Sequence, residues 1–529
     1  MFFTKCLNNV YICSMSLLSD IFSLLTSKML NNLEENRKNP VHFQQKLFSN
    51  LTESLCHTEF GKEHGIKRGI SLYEFQNSIP LRDYDNFEPF IERVRRGEDK
   101  VLWDKPTIWF AKSSGTSTAR SKFIPVSSES LHSCHFSGMK KMLATYVANN
   151  PDSRIFDGDT LTLGGSVTVD ELGTGKSHYG DLSAILLRNS PFWVEMRRVP
   201  GQKTALLSDF EKKVEEICKN AHRYNVTNFS GVPSWNLVLM RRILEYTGKK
   251  TLHEIWPNLE LFMHGGINFD PYRSEFKKII PSEQMRYMEN YNASEGYFAF
   301  QDNPLDKSML LLTDNGVFYE FIPMSRLNEA LSGRYTNFDT TETVNTTENY
   351  AVVITTNGGL WRYLLGDCVR FTSLFPHKII ISGRTQLFIN TFGEELMINN
   401  AERAMTTVCE KHSASVANYT VAPLFMEGNS KGAHQWLIEF STKPNDITDF
   451  TFDLDKELRS LNSDYDAKRN NNVTMSMPEV VVLNDGIFYE WMRQKGKLGG
   501  QNKVPRLSGE RTYADQLLEI QNSSFGKVL

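Results

Sequence analysis

Residues 209–248 read "DFEKKVEEICKNAHRYNVTNFSGVPSWNLVLMRRILEYTG" and contain the pattern that decides the fold class. Phe210, Val214 and Ile217 recur at helical spacing, which predicts an amphipathic helix. The stretch "VTNFSGVPSW" follows it and leads into a second helix, which ends at Gly248. Helices that alternate with short strands along a chain predict α/β layers.

The flanking sequence repeats this alternation. Apolar stretches next to glycine corners predict strands, and a Gly-Gly turn predicts that residues 351–371 form two of them. Residues 15–100 have a helical pattern instead. The predicted strands include "VLWDKPTIWFAK" (101–112), "DTLTLGGSVTV" (159–169), "LELFMHGG" (259–266), "GVFYEFIP" (316–323) and "AVVITTNGGLWRYLLGDCVRF" (351–371).

The pattern changes after "IIISGRTQLFINTFGEEL" (379–396), where shorter strands and helices suggest a separate α+β unit. We therefore predict a large N-terminal α/β domain at 1–384 and a small C-terminal α+β domain at 385–529, with the boundary at Arg384. Ligands of α/β folds bind in loops at strand ends, so functional residues are expected there.

Composition excludes several classes of protein. The chain has 529 residues, of which 40% are hydrophobic and 23% charged, as in soluble globular proteins. Its formal net charge of -3 favours neither a nucleic acid nor an anionic membrane as partner. The seven cysteines are odd in number and form no C-x-x-C pair, which argues against a disulfide framework or a zinc site.

The N-terminus carries no recognisable targeting signal. Asn8, Asn9 and Asp20 interrupt its apolar residues, and no small-residue cleavage site follows. No apolar run is long enough to span a bilayer. We expect a cytoplasmic protein without an obligate protein partner.

The stretch "SSGTSTARSK" (113–122) is rich in hydroxyl groups and poor in apolar side chains. Small residues, backbone N–H groups and hydroxyl donors are what a polyphosphate-binding loop needs, and Lys122 adds a positive charge. The spacing differs from that of a P-loop ATPase. The alternative is a Ser/Thr-rich turn without a ligand.

Three further motifs fit the same ligand. Glu295 in "YNASEG" (291–296) stands at a glycine corner after a strand and could hold Mg²⁺ against phosphate oxygens; otherwise it is a solvated turn residue. Asp367 in "WRYLLGDC" follows a glycine at a predicted strand end and could accept both ribose hydroxyls; otherwise it belongs to a Gly-Asp hairpin turn. Arg384 in "SGRTQ" lies at the domain junction, where its alternative is an ordinary surface arginine.

Taken together and in this order, "SSGTSTARSK", "YNASEG", "WRYLLGDC" and "SGRTQLFIN" resemble the motifs of the auxin-responsive promoter family. This family comprises the plant acyl-acid–amido synthetases and their bacterial relatives, within the adenylate-forming superfamily. The resemblance implies a large α/β domain, a mobile α+β domain, and the cofactors ATP and Mg²⁺. It also implies an acyl-adenylate made from a carboxylic acid and then passed to an amine, such as an amino acid.

The resemblance assigns roles to individual residues. The loop that would hold the ATP phosphates ends at Lys122, Glu295 would help hold Mg²⁺, and Asp367 would hold the ribose. Arg384 would approach the nucleotide from the hinge, and Lys503 of "KLGGQNKVPRLSGE" would close over the forming anhydride, with Lys497 a weaker candidate. The remaining nucleotide-binding residues that the resemblance implies are Ser113, Ser114, Gly115, Thr116, Ser117, Gly265, Gly266 and Ser294.

The chain also departs from the family pattern. Ala119 replaces a usual glycine of the first motif, Gln386 stands where the superfamily often has an acidic hinge residue, and Gly296 replaces a cysteine common in plant members. A thioester-forming coenzyme A ligase, which shares the adenylation half-reaction, remains an alternative. An inactive nucleotide- or acyl-binding relative is the other, and Ala119 is the only feature that favours it. For the acyl pocket we expect an apolar lining that includes Phe229, Trp235 and Met240.

Overall fold

The computed structural model describes residues 17–113, 122–170, 177–266, 269–385, 388–389, 394, 396–425, 432–462, 465–466, 469, 475–498 and 504–525. Helices come first, and local capping sets where some of them begin. The Ser71 side chain accepts a hydrogen bond from the Glu74 amide while the Glu74 carboxylate accepts one from the Ser71 amide, which closes a capping box. The leading helices are α1 (Leu17–Lys38), α2 (Pro40–Leu55), α3 (Glu59–Glu63), α4 (Leu72–Ser78) and α5 (Tyr84–Arg95).

A four-stranded sheet follows, in the order β2-β1-β5-β4. Its first two strands are antiparallel neighbours, and the hydroxyl-rich stretch of the sequence lies between them along the chain. The strands are β1 (Trp109–Ser113), β2 (Lys122–Val126), β4 (Val167–Val169) and β5 (His178–Gly180). A π-helix over Ser130–Phe136 runs directly into α6 (Ser137–Asn149).

The largest sheet in the described part of the chain has eleven strands, in the order β12-β13-β14-β15-β11-β10-β9-β8-β7-β3-β6. In this sheet order, neighbouring strands are parallel from β6 through β3, β7 and β8 to β9. They are antiparallel from β9 through β10, β11, β15, β14 and β13 to β12. The strands are β3 (Asp159–Thr162), β6 (Arg198–Val199), β7 (Val226–Gly231), β8 (Leu261–Gly265), β9 (Arg286–Ala293), β10 (Gly296–Phe300), β11 (Met309–Leu311), β12 (Val317–Pro323), β13 (Asn349–Thr356), β14 (Tyr363–Leu374) and β15 (His377–Arg384).

Helices connect the parallel strands, so the carboxyl ends of β7, β8 and β9 reach one edge of the sheet. Gly231 pairs with His264, and Gly265 pairs with Asn290, which keeps these ends in register. We call this the ligand edge. The helices between α6 and the end of the large sheet are α7 (Leu182–Arg188), α8 (Phe192–Glu195), α9 (Gln202–Ala205), α10 (Phe210–Asn220), α11 (Pro233–Thr247), α12 (Asp270–Ile279) and α13 (Leu327–Leu331).

The smaller C-terminal domain is built on a three-stranded sheet. Its first two strands are antiparallel and the third is parallel to the second. Its elements are β16 (Phe388–Ile389), β17 (Leu396–Met397), α14 (Ile398–Lys411), β18 (Ser415–Leu424), β19 (Ala433–Thr442), α15 (Ile447–Leu461), β20 (Glu479–Leu483), α16 (Ile487–Gln494) and α17 (Thr512–Phe525).

The apolar core does not stop at the domain junction. One buried cluster contains Phe262 and Phe276 of the large domain together with Ala422, Leu437 and Trp491 of the small domain. Helix α12 packs against β18 at this junction. Among the helices of the described ranges, none is long and apolar enough to cross a membrane.

The predicted α/β class with a large and a small domain is confirmed, whereas the boundary at Arg384 stays a prediction. The two strands about the Gly-Gly turn of 351–371 are also confirmed as β13 and β14. The prediction of one interrupted strand over 159–169 is wrong, because its halves lie in different sheets. Residues 163–166 separate the two strands, and at Gly165 a side-chain Cβ would lie 1.7 Å from Asp181 Oδ2. In the stretch 101–112 only the residues from Trp109 onward form a strand.

Candidate active site

Ser294 and Glu295 form the two-residue turn between β9 and β10. Ala293 and Gly296, on either side of this turn, pair with each other. Ser294 is buried and Glu295 is half-buried. Burial raises the pKa of the Glu295 carboxyl, and the positive charges of Lys122 and Arg384 oppose this shift. The carboxylate predicted to hold magnesium therefore lies at the ligand edge, within electrostatic reach of two cations.

Asp367 lies inside β14, opposite Arg384 of β15. Its Oδ1 accepts a hydrogen bond from Arg384 Nε at 2.8 Å, and its Oδ2 accepts one from the Tyr291 hydroxyl at 2.7 Å. The predicted strand end at Asp367 is wrong, as is the alternative of a hairpin turn, because β14 continues to Leu374. Cross-strand pairing with Arg384 gives the aspartate a fixed position that neither interpretation provides.

The two side chains that donate to Asp367 are held in their protonated forms. Burial, followed by the negative charge of Asp367, raises the pKa of the Tyr291 hydroxyl well above its ordinary value. The charge of Asp367 likewise raises the pKa of Arg384. The carboxylate therefore accepts from two permanent donors, one of them charged.

Gly265 ends β8 at the same edge, and Gly266 follows it. A Cβ on Gly265 would lie 2.4 Å from the Asn290 backbone carbonyl of β9, so this position tolerates no side chain. Gly266 has a φ of 84°, in the left-handed region that favours glycine. The two glycines let the backbone leave the sheet close to Asn290, whose Nδ2 donates to the His264 carbonyl at 3.0 Å.

Lys122 begins β2 and pairs with Ser113, the last residue of β1. It is half-buried, and its Nζ lies 5.7 Å from the centre of the Tyr84 ring. The two residues bracket the hydroxyl-rich stretch. Seven positions named in the sequence analysis lie outside the described residues: Ser114, Gly115, Thr116, Ser117, Ala119, Gln386 and Lys503.

The structure thus brings Lys122, Glu295, Asp367 and Arg384 into one electrostatically coupled cluster. Of the residues expected in the acyl pocket, Phe229 and Met240 are fully buried in the apolar core. Phe229 stacks on Phe262 with ring centres 4.2 Å apart. These two side chains pack the sheet against its helices.

Sequence reasoning missed two residues near the hairpin. Tyr291 is the first residue of the "YNASEG" motif, and its place in that motif is the sequence feature that could have indicated its hydrogen bond to Asp367. His135 lies on the π-helix, where its Nδ1 is 3.1 Å from Asn292 Oδ1. Burial lowers the pKa of His135 to about 4, so the ring is neutral at physiological pH. No sequence pattern pointed to His135, because its partner lies 157 positions away.

This arrangement suits a phosphorylated ligand. Two carboxylates, a lysine and an arginine meet where glycines expose the backbone and parallel strands end. Cations there can neutralise phosphate oxygens, and a carboxylate can hold a divalent cation or sugar hydroxyls.

Comparison with known proteins identifies the family. The GH3 family N-terminal domain matches residues 29–285, the GH3 family central domain matches 310–384, and the GH3 family C-terminal domain matches 399–512. The matches follow one another in order and leave only short segments uncovered.

Full-length relatives agree. Indole-3-acetic acid-amido synthetase GH3.4 of Arabidopsis thaliana is 21% identical, over 90% of this chain and 91% of that protein. Jasmonoyl--L-amino acid synthetase JAR6 of Nicotiana attenuata is 22% identical, over 94% of this chain and 96% of that protein.

Solved structures resemble the fold at lower identity. The GH3.15 acyl acid amido synthetase superposes with a TM-score of 0.77 at 18% identity, covering 93% of this chain and 95% of that one. A 2-hydroxyisobutyryl-CoA ligase in its postadenylation state gives 0.59 at 11% identity, covering 92% and 94%. The fold is that of these adenylate-forming enzymes. Because all three family domains follow one another from residue 29 to residue 512, the chain belongs to the GH3 family.

Proposed function

We propose that the protein is an ATP-dependent acyl acid amido synthetase, a ligase that forms carbon–nitrogen bonds. In the first half-reaction a carboxylate oxygen attacks the α-phosphorus of ATP, which gives an acyl-adenylate and releases pyrophosphate. In the second, an amine attacks the acyl carbon and releases AMP. The observation that carries the proposal is the cluster of Glu295, Asp367 and Arg384 at the ligand edge of a GH3 family chain.

The residues act mainly by orientation and charge. A carboxylate is a poor nucleophile and the phosphates repel it, so alignment and neutralisation of charge lower most of the barrier. Asp367, held by Tyr291 and Arg384, is the group that would orient the ribose. Lys122 would neutralise phosphate oxygens, and Arg384 would do the same from the predicted hinge.

Magnesium fits this donor set. Glu295 offers a carboxylate oxygen at a hairpin tip, and oxygen ligands shared with phosphates are what Mg²⁺ prefers. When bound, the ion would neutralise charge on the triphosphate. Glu295 is the residue that would hold it.

Lys503 is proposed as the cation that the small domain delivers to the α-phosphate and acyl oxygens. It lies outside the described residues and the proposal for it comes from the resemblance of its motif. Closure of the small domain would also exclude water, which otherwise hydrolyses the adenylate.

We propose an amino acid as the amine, since relatives such as JAR6 are named as L-amino acid synthetases. A thioester with coenzyme A is the product to be tested against the amide. The family and the two relatives described above favour the amide.

The test is acid-dependent exchange of labelled pyrophosphate into ATP, with a panel of carboxylic acids, followed by product analysis with amino acids or coenzyme A. We expect exchange with at least one acid and an amide as product. Lys503→Ala should lose exchange by about 100-fold or more while still converting a supplied acyl-adenylate to amide. Absence of exchange with every acid would reject the ligase, and a thioester product would reject the amide.

A further inference from the structure

Arg506 belongs to the small domain through its backbone. Its carbonyl accepts a hydrogen bond from the Val421 amide at 2.9 Å, and the neighbouring Pro505 carbonyl accepts one from Thr420 Oγ1 at 2.6 Å. Leu507 forms a parallel bridge with Val421 and is fully buried. The segment 505–507 is therefore fixed along β18.

The Arg506 side chain reaches the other domain. Its Nη2 donates to the Tyr272 hydroxyl of α12, and its Nη1 donates to the Tyr419 carbonyl at 3.1 Å. The guanidinium carbon lies 4.6 Å from the centre of the Tyr419 ring and 5.8 Å from that of Tyr272. One tyrosine comes from each domain, so a single cation is held between them by a hydrogen bond and by both aromatic rings.

Tyr272 lies close along the chain to the ligand edge. It is 1% exposed, and its amide donates to the Phe269 carbonyl at 2.8 Å in the first turn of α12. That helix begins four positions after Gly266, where β8 has ended.

Two further side-chain contacts join the domains in the described part of the chain. Arg241 Nη2 lies 3.4 Å from Ser441 Oγ, and Lys278 Nζ lies 3.4 Å from Thr442 Oγ1. Both acceptors are neutral hydroxyls and both contacts are exposed. The contact of Arg506 differs from these two in that its acceptor, Tyr272, is buried.

We infer that Arg506 is a positioning residue, which docks the segment 505–507 of the small domain onto α12 for acyl-adenylate formation. Lys503 precedes Arg506 by three positions in the sequence. Docking through Tyr272 would orient the small domain relative to the nucleotide without Arg506 or Tyr272 touching the reacting atoms. The inference rests on the proposed function, because it assigns the contact to one of the two half-reactions.

The test compares Tyr272→Phe, Arg506→Lys and the double variant. Tyr272→Phe keeps the ring and removes only the hydroxyl, so folding should be preserved. We expect kcat for acid-dependent pyrophosphate exchange to fall about tenfold in each single variant, with KM for ATP changed by less than about twofold. The double variant should lose no more than the worse single variant, because both changes break one contact.

Arg511→Lys is the matched control. Arg511 Nη1 donates to the Pro423 carbonyl at 3.1 Å and Nη2 donates to Gln435 Oε1 at 3.0 Å, so both of these contacts stay inside the small domain. This variant should exchange pyrophosphate like the wild type. Amide formation from a supplied acyl-adenylate should be unchanged in all variants.

Two results would overturn the role of Arg506. Exchange within about twofold of the wild type in Tyr272→Phe and Arg506→Lys would show that the contact does not matter for adenylation. Equal losses in both half-reactions would show a general defect of the small domain instead. A wild-type protein without exchange would overturn the proposed function, and the two failures are therefore distinguishable.

Discussion

The position of Glu295 disfavours the ionised form of its carboxyl group. Burial raises the pKa of its carboxyl, so the folded state binds the proton more tightly than the unfolded state does. The stability that this proton contributes is fully present below the unfolded pKa and is lost as the pH rises through the folded pKa. Above the folded pKa the ionised carboxylate therefore favours unfolding, and the positive charges of Lys122 and Arg384 reduce the effect.

Glu295→Gln should consequently melt at the same or a higher temperature than the wild type at pH 7. Its acid-dependent pyrophosphate exchange should fall about 100-fold, because a neutral amide holds magnesium poorly. Thermal melts and exchange rates at several Mg²⁺ concentrations measure the two effects. Glu283→Gln, at an exposed position before β9, is the control and should change neither. Retained exchange with unchanged Mg²⁺ dependence would remove Glu295 from the site.

Asp367→Ala should weaken ATP binding and also destabilise the fold. It removes the acceptor for Tyr291 and Arg384, and hydrogen bonds to a charged group contribute about 1.5–3 kcal/mol each. Tyr291→Phe removes one donor and leaves the Arg384 pair intact, so its effect on both quantities should be smaller. Calorimetric ATP titration and urea unfolding separate the two losses. Lower stability with unchanged ATP affinity would make Asp367 a purely structural residue.

The beginning of β14 is held by a buried ion pair. Arg362 is fully buried and has a φ of 48°, which is unusual for a residue other than glycine. Its Nε lies 3.1 Å from both carboxylate oxygens of Glu320 on β12, and its Nη1 donates to the Ile79 carbonyl at 2.8 Å. The pair therefore joins the strand that carries Asp367 to β12 and to the segment after α4.

Arg362→Met should lower the free energy of unfolding by about 3–5 kcal/mol, because it leaves the Glu320 carboxylate buried without its partner. Urea denaturation measures this loss. Arg96→Met is the control: Arg96 pairs with Glu92 at 3.4 Å on an exposed helix face and should cost below about 0.5 kcal/mol. Similar losses in the two variants would show that the buried ion pair contributes no more to the free energy of unfolding than the exposed one.

Across the two domains, the shared apolar cluster predicts cooperative unfolding. Phe276 of α12 and Leu437 of β19 belong to the same buried cluster, so separating the domains would expose apolar surface on both. We expect one transition in a calorimetric scan of the ligand-free protein, with equal calorimetric and van't Hoff enthalpies. A separate early transition for the small domain would contradict the prediction and would indicate a weakly held junction.

Local features were predictable from the sequence. The amphipathic helix at 210–220 and the hairpin at Ser294–Glu295 depend on residues within a few positions of one another, and so does the glycine corner at Gly265. The order of the motifs was enough to indicate the family and the small set of residues expected at the site. Composition and spacing also identified the two-domain α/β class.

Only the tertiary structure decided which of these residues touch. Tyr291 meets Asp367 across 76 positions, and Arg506 meets Tyr272 across 234. It also showed that β14 runs through Asp367, and that Phe229 belongs to the apolar core. The physical reason is that helices, turns and strands follow from short-range backbone preferences and apolar periodicity, whereas side-chain pairing depends on strand register and domain packing. Both of these are set by contacts between residues far apart in the chain.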